Sequence, residues 1–567
     1  MLVQVVTEAP GLAPEEVETL ITYPVEVAMN GLPRVAQVKS ISAFGISQVS
    51  VYFTDDVDVY FARQLTLEKL QQAKAEIPPG LGEPKLGPIT TGLGQIYQYV
   101  IRGGQSITEL RTLQDWIVKY NLRTVPGVTE VLSFGGDVKQ YQLRVDPRAI
   151  LQYGVTLVDI RQAVGANNRN VGGGYITRGP EEYIIRGIGL VETVGDLGNI
   201  IVARRGATPV YVRNVAEVVI GPEVRRGAVT MNGKGEAVSG IVLKRIYENT
   251  SQVIASVKGK VAELNKSLPP GVQVVPYYDQ SELVDRAVGT VKDALLEGAV
   301  LIVVILFLFL GNVRSSLIVT AMLPLSLLLA FMLMRCFGFS ANLMSLGGLA
   351  IGIGMMVDGG VVMVENIYRH LSEERHDSAP DGSGTATGEM AIAHPESQLH
   401  IILRAATEVG RPIVFAIAII ILVFLPLLTL QGVEGKMFRP MAFAVVFAMI
   451  GSMIFSLTII PVLCSFFLKG GSEEDTWIMR VVKRPYLPAL RWSIIHRKKT
   501  VGAAAIALAL SLAIVPFLGS EFVPVLEEGS ILYRATLAPS AGLDEAIRTA
   551  TALETIARRF PEVEDVV

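Results

Sequence analysis

Six apolar runs constrain this chain before anything else: 298–313, 315–334, 336–357 running on to 364, 412–433, 440–468 and 500–520. A helix needs about 20 apolar residues to cross the hydrocarbon of a bilayer. With no water there to satisfy backbone N–H and C=O groups, runs of that length must be helical. The spacing therefore predicts six transmembrane helices, the first short unless its helix extends upstream past Glu297. Half of the 567 residues are hydrophobic and 18% are charged, which agrees with a multidomain membrane protein.

The connections between the runs differ in charge. Segment 369–411 carries Arg369, Arg375, Arg404 and Arg411, and segment 469–499 is richer still, whereas 430–440 holds only Lys436 and Arg439. By the positive-inside rule the two basic segments are cytoplasmic. Residues 1–290 and those after 520 then lie on the outer face. Met1 to Val6 begins as an alternating strand with no basic or apolar leader region, so a helix preceding the chain is expected. The other end, Val567, follows a helix and what reads as the start of a strand.

Several function classes are excluded. The net charge of −3 argues against nucleic-acid binding. Cys336 and Cys464 both fall in apolar runs and make neither a disulfide framework nor a CxxC site. The five histidines, at 370, 376, 394, 400 and 496, form no HExxH, and no GxxxxGK phosphate loop is present, so enzyme activity has no support. Nor does any ring of charge or carbonyl motif mark an ion channel.

In the outer region one pattern recurs, a helix followed by Pro-x-Val-x-x-Val: LPRVAQV at 32–38, VPGVTEV at 125–131 and FPEVEDV at 560–566. The recurrence points to copies of one α/β unit, with reuse of a common helix-to-strand turn as the plainer explanation. The predicted order is strand 2–8, helix 14–30, strands 35–42 and 47–54, helix 59–76. It resumes with strand 94–102, helix 107–122, strands 128–134 and 138–145 and helix 156–167. That βαββα order is the split βαβ, or ferredoxin-like, arrangement. Residues 168–240 turn glycine- and strand-rich and read as an inserted β subdomain, after which helix 251–267 and strand 271–277 complete the second unit.

The third run contains GIGMMVDGGVVMVEN at 352–366. A carboxylate at bilayer depth costs about 2.5–3.5 kcal/mol even on lenient scales and marks an ion or proton path by default. Seven helical residues turn by about 700° and rise ~10.5 Å, so Asp358 and Glu365 share one face two turns apart. A carboxyl group in low dielectric can exchange protons near neutral pH, as proton-driven transport needs. Glu365 lies nearer the cytoplasmic end, where snorkelling to the interface or reaching toward Arg369 also accounts for it. Gly347, Gly348, Gly352, Gly354, Gly359 and Gly360 keep the helix slim, for close packing or for sliding.

YYDQSELVDRAV at 277–288, FLGNVRSSLIV at 308–318, NLMSLGGLAIGIGMMVDGGVVMVEN at 342–366 and EGKMFRPMAF at 434–443 together resemble the heavy-metal efflux branch of the resistance–nodulation–division transporters. The likeness covers essentially the whole chain. It implies a membrane α-helical bundle with an α+β periplasmic domain, and a full pump of about twelve helices of which this chain holds the second to the seventh. It further implies a first porter subdomain at 1–90, a second at 91–167 and 241–290 interrupted by a docking subdomain at 168–240, three transmembrane helices at 291–371 and a cytoplasmic loop at 372–410. Two further helices at 411–468, a cytoplasmic amphipathic segment at 469–499, a helix at 500–520 and the start of a third porter subdomain at 521–567 complete the layout.

By the same resemblance the protein is a secondary transporter, not an enzyme, with no cofactor. It is a proton/cation antiporter and homotrimer of the Gram-negative inner membrane, working with a periplasmic adaptor and an outer-membrane channel. Asp358 is implied as the proton relay, with a partner lysine on a later helix. The multidrug branch has two adjacent aspartates where this chain has Asp358-Gly359, which favours metal over organic substrates. A truncated half-pump that moves nothing, and a multidrug-type pump, are the alternatives.

For the cation the sequence points two ways. Met356 and Met363 form a second stripe on the helix of Asp358, rotated away from the carboxylates, and Met449, Met453 and Cys464 lie on run 440–468. Thioether and thiolate are soft ligands suited to Cu(I) or Ag(I). Copper and silver pumps of the family carry methionine relays, and zinc, cobalt and cadmium pumps an extra acidic residue six before the relay aspartate. That position here is Gly352. Against a monovalent cargo, ILYR at 531–534 puts Arg534 where copper and silver pumps have a methionine. The expected transport path is Met356, Met363, Cys464 and Met449 for a soft or borderline heavy metal, although methionines also fill cores.

Overall fold

The computed structural model describes residues 1–225, 227–377, 398–468, 476–519, 529–538 and 540–567. Much of the loop expected at 372–410 and the heads of the segments expected at 469–499 and 521–567 fall outside the described residues. The chain divides into two compact units, residues 1–282 with 531–567, and residues 283–530.

The first unit opens with β1 (Leu2–Glu8), then α1 (Pro14–Val17), a π-helical turn at Glu18–Thr22, α2 (Tyr23–Asn30), β2 (Val35–Ala43), β3 (Ile46–Phe53), α3 (Val59–Glu76) and β4 (Lys85–Leu86). The antiparallel sheet has the order β2-β3-β1-β4. Alternation sends Val3, Val5, Val49, Val51 and Phe53 inward against Ile21, Val25, Met29, Leu70 and Ala73 of the helices. Each such Val, Ile, Leu, Met or Phe side chain contributes about 1.5–3 kcal/mol on burial. Asp58 starts α3 by accepting hydrogen bonds from the Tyr60 and Phe61 amides.

The pattern then repeats with β5 (Gln95–Arg102), α4 (Ile107–Leu113), a π turn at Gln114–Val118, α5 (Lys119–Arg123) and β6 (Val128–Phe134). Three element starts are displaced by the same 93 residues, Leu2 to Gln95, Pro14 to Ile107 and Val35 to Val128. Both copies therefore start a strand two residues after the proline of the repeated motif. At the third copy Val566 instead exchanges hydrogen bonds with Asn232, and no strand forms there among the described residues.

From β6 onward the pairing departs from the expectation. Strand β7 (Lys139–Val145) forms where predicted, but it pairs with β12 and not with its own unit's sheet. Between them come α6 (Pro147–Tyr153), α7 (Leu157–Asn167), β8 (Val171–Arg178), β9 (Glu181–Gly187), α8 (Val194–Gly198), β10 (Ile201–Arg205), β11 (Thr208–Tyr211) and α9 (Val212–Val215), and β12 is Ala216–Pro222. Helix α7 packs Ile160 with Val155, Val210 and Val215 in this group's own small core. After β13 (Val229–Thr230), β14 (Glu236–Lys244) slots between β5 and β6, followed by α10 (Thr250–Ser267) and β15 (Gln273–Asp279) on the free edge of β5. The third strand of the second α/β copy is thus β14, whose Val238 and Val242 alternate into the same buried core as Ile254 and Val257 of α10.

The second unit comprises α11 (Gln280–Leu310), α12 (Val313–Cys336), α13 (Leu343–Asp377), α14 (Gln398–Leu428), α15 (Gly432–Leu457), α16 (Ile459–Phe467), α17 (Trp477–Ile495) and α18 (Arg497–Ile514). Among the described residues six helices are long and apolar enough to span a membrane, beginning at Gln280, Val313, Leu343, Gln398, Gly432 and Arg497. The first does extend far upstream of Glu297. The third starts later than position 336, since Gly338 has a positive φ and Asn342 accepts from the Ser345 amide to begin the helix. Run 440–468 is not one helix: it breaks at Thr458, ahead of Pro461, whose missing N–H leaves the Leu457 carbonyl without a helical partner. Beyond these, α19 (Leu543–Ala557) belongs to the first unit, where the Glu554 carboxylate accepts from the Thr230 hydroxyl and from the Gly233 amide, the latter at 2.7 Å.

Candidate functional site

Helix α13 lies at the centre of the second unit's core, in contact with α12, α14, α15 and α16. Its glycines set how closely. A Cβ at Gly348 would stand 2.6 Å from the Met441 carbonyl oxygen, one at Gly360 3.0 Å from Ile460, and one at Gly359 3.2 Å from Ile413, while Gly347 and Gly354 face open space. The close-packing reading therefore holds for Gly348, Gly359 and Gly360.

Asp358 and Glu365 both open on a single cleft of about 990 Å³. Ile302, Ser315, Gly354, Met355, Val361 and Ile420 form part of its wall, and Tyr368 and Arg369 continue the carboxylate face toward the end of the helix. The two acids share one face of α13, and the cleft is what that face meets. Arg369 makes an ion pair with Glu373 at 3.6 Å. Next to it, His370 Nε2 stands 2.9 Å from Glu408 of α14, and the Asn366 amide donates to the Ala405 carbonyl at 2.9 Å, tying α13 to α14.

The sulfur-bearing residues lie elsewhere. Met356, Met363, Met449 and Cys464 are all fully enclosed in the apolar core, and none lines the cleft. Ser452 of α15 donates to the Met356 carbonyl oxygen at 2.6 Å, not to its sulfur. Among the described residues no three His, Cys, Asp or Glu side chains converge as a metal site. Arg534 is exposed.

Three residues escaped the sequence reading. Met322 of α12 is buried, with its sulfur 3.3 Å from the Ser456 hydroxyl and beside Gly360. Its stripe, Val319, Met322, Leu323, Ser326 and Ala330, has the i, i+3, i+4, i+7 spacing that marks a buried helical face and was available in the sequence. Ser315 is 2% exposed, and its hydroxyl, on the cleft wall, has no hydrogen-bond partner among the described residues. Lys483 of α17 brings a cation to the cleft that holds the carboxylates, and nothing in its local sequence signals that placement.

The whole chain, residues 1–567, matches the AcrB/AcrD/AcrF family. It is 43% identical to "Cation efflux system protein CzcA" of Alcaligenes sp. (strain CT14), covering all of this chain and 53% of the relative. It is 39% identical to "Cation efflux system protein CusA" of Escherichia coli (strain K12), covering 98% of this chain and 53% of that one. A solved structure described as a heavy metal efflux pump superposes with a TM-score of 0.85 at 36% identity, over all of this chain and 53% of its own. The chain thus spans about half the length of the curated relatives it matches. From motifs, fold and these likenesses together, the chain belongs to the AcrB/AcrD/AcrF family of transporters, in its heavy-metal efflux branch.

Proposed function

We propose that this chain supplies the proton-coupling half-bundle of a pump that exports a heavy-metal cation across the inner membrane of a Gram-negative bacterium, Asp358 taking and releasing the proton. The observation that carries this reading is that Asp358 and Glu365 face one cleft from a membrane-spanning helix whose opposite face is packed. Carboxyl groups placed so are retained for proton or ion movement, since an idle one is costly at bilayer depth. Lys483 on the same wall offers a positive charge in this half of the bundle, besides the lysine expected on a later helix.

In the same proposal the sheets β2-β3-β1-β4 and β6-β14-β5-β15, each crossed by two helices, are ferredoxin-like porter subdomains. The β7–β12 excursion is the docking subdomain, and 531–567 begins a third porter unit. The outer region is periplasmic, and the assembly is a homotrimer joined to an adaptor and an outer-membrane channel. The cargo is a soft or borderline metal, with Met363 and Cys464 as its contacts in the membrane and Met356 and Met449 near them.

A multidrug-type pump is disfavoured by the packing at Gly359, where even a Cβ would lie 3.2 Å from Ile413 and 3.3 Å from the Ser456 hydroxyl, leaving little room for a second aspartate. A half-pump that moves nothing is separated by measurement. In inverted vesicles carrying the intact transporter, Asp358→Asn abolishes proton-driven metal uptake while membrane insertion is unchanged. Retained, pH-dependent uptake in that variant overturns the relay assignment.

A further inference from the structure

A second groove, of about 620 Å³, lies between α14 and the break that parts α15 from α16. Leu403, Ala406 and Phe415 wall it on one side, Leu457, Pro461 and Val462 on the other, and no acidic residue lines it. Leu403, Phe415 and Val462 each leave more than half of their surface exposed, so the groove is open along its length.

Only three polar side chains reach it, those of Thr407, Arg411 and Ser465. The Thr407 hydroxyl donates to the Leu403 carbonyl at 2.6 Å and the Ser465 hydroxyl to the Val462 carbonyl at 2.7 Å, so both protons are used within their own helices. That leaves Arg411 as the donor. It is exposed and makes no ion pair or hydrogen bond among the described residues. The nearest acid on its helix, Glu408, is held instead by His370 and Asn366 of α13.

Depth gives this unpaired cation its meaning. A Cβ at Gly359 would stand 3.2 Å from Ile413, so Ile413 is level with the residue after Asp358. Arg411, two residues away along α14, is about 3 Å from that level. A guanidinium keeps its charge and is costly on an apolar span unless an anion meets it. Side chains of a helix lean toward its N-terminus, so Arg411 reaches along the groove toward Leu399, which also lines it. The occupant that suits both parts has a long apolar body and an anionic end whose oxygens match the fork of the guanidinium.

We propose that the groove between α14 and α16 is a phospholipid site, one acyl chain lying along Leu403, Phe415 and Val462 and the phosphate drawn to Arg411. The inference needs the spans, the groove and the unpaired charge, and it stands or falls apart from the proton relay.

The test places the intact transporter in nanodiscs doped with phosphatidylglycerol carrying a photoreactive diazirine on its acyl chain, or with diacylglycerol carrying the same group but no phosphate. After illumination, labelling of the groove peptides is compared with labelling around Leu508, exposed on α18 away from the groove. Phosphatidylglycerol is expected to label the groove about tenfold more than diacylglycerol, the factor that one hydrogen bond to a charged group supplies. Arg411→Gln brings it down to the diacylglycerol level, and Arg411→Lys keeps most of it, which separates lost charge from lost folding. Equal groove labelling by the two lipids in the parent protein overturns the proposal, as does a preference that survives Arg411→Gln. Labelling around Leu508 with none in the groove also overturns it, since a protein surface then covers the groove.

Discussion

Gly348 of α13 faces the backbone of Met441 on α15 so closely that a Cβ there would stand 2.6 Å from the carbonyl oxygen and 3.1 Å from the Cα. Neither neighbour is the end of a flexible side chain, so the helices would have to part. Gly348→Ala is expected to cost about 1–3 kcal/mol, the range for overpacking a tight core. Gly354→Ala, which meets nothing within 4 Å, is expected to be near neutral. Thermal melts of the detergent-solubilised protein check this, and equal melting temperatures for the two variants would sink it.

Glu554 is 5% exposed and holds α19 to the turn after β13 through Thr230 and the Gly233 amide. Replacing it with alanine leaves those donors buried without an acceptor, a cost of about 1–3 kcal/mol. Amide exchange across Leu543–Ala557 should speed up accordingly, while exchange in β1 and β3 stays as it was. Unchanged protection of α19 in Glu554→Ala would show that the apolar face of the helix suffices to hold it.

Tyr97, in β5, has its hydroxyl pushed up to about 12 by burial, with the negative charge of Asp279 adding to the effect. An unfolded tyrosine titrates near ~10. The folded value being the higher, the stabilisation is complete below about pH 10 and is lost as pH rises toward 12. Circular-dichroism melts are expected to be flat up to that lower limit and to fall above it, with a shallower fall in Tyr97→Phe. An identical alkaline fall in both proteins contradicts the assignment.

Met363 is enclosed in the core, so a thioether there acts on cargo only if the packing opens during transport. Met363→Ile keeps the apolar volume and removes the soft donor. A strain carrying the intact pump with this change is expected to lose tolerance to Ag(I) or Cu(I) severalfold more than to Zn(II) or Co(II). Should the intact pump raise Zn(II) or Co(II) tolerance, and the isoleucine variant match it, the soft-ligand reading is wrong.

Local patterns carried most of the fold into the sequence. Helix Val59–Glu76 and strands Leu2–Glu8 and Val128–Phe134 fall on the expected residues, since period and caps are properties of a few neighbours. Partner choice is not. Lys139–Val145 alternates as a strand should, but nothing within it says that its ladder is with Ala216–Pro222. The break at Thr458 was legible in Pro461, hidden by the unbroken hydropathy around it. At the site, helical rotation placed Asp358 and Glu365 together because both lie on one helix. Lys483 and Ser315 reach the cleft from other helices, and tertiary placement of that kind leaves no local trace.

The insertion between β6 and β14 also bears on synthesis. Val5 pairs with Val49, 44 residues on, whereas Tyr99 waits for Gly240, 141 residues on. At 5–20 residues per second a ribosome needs roughly 7–28 s to supply that partner, during which β5 and β6 are open edges inviting wrong neighbours. The excursion shortens its own span. Once Lys139 is laddered to Pro222, its two ends emerge side by side, and the closure left to β14 is that of a short loop. In the folded chain the β7–β12 ladder is therefore a clasp that brings β14 back beside the gap between β5 and β6.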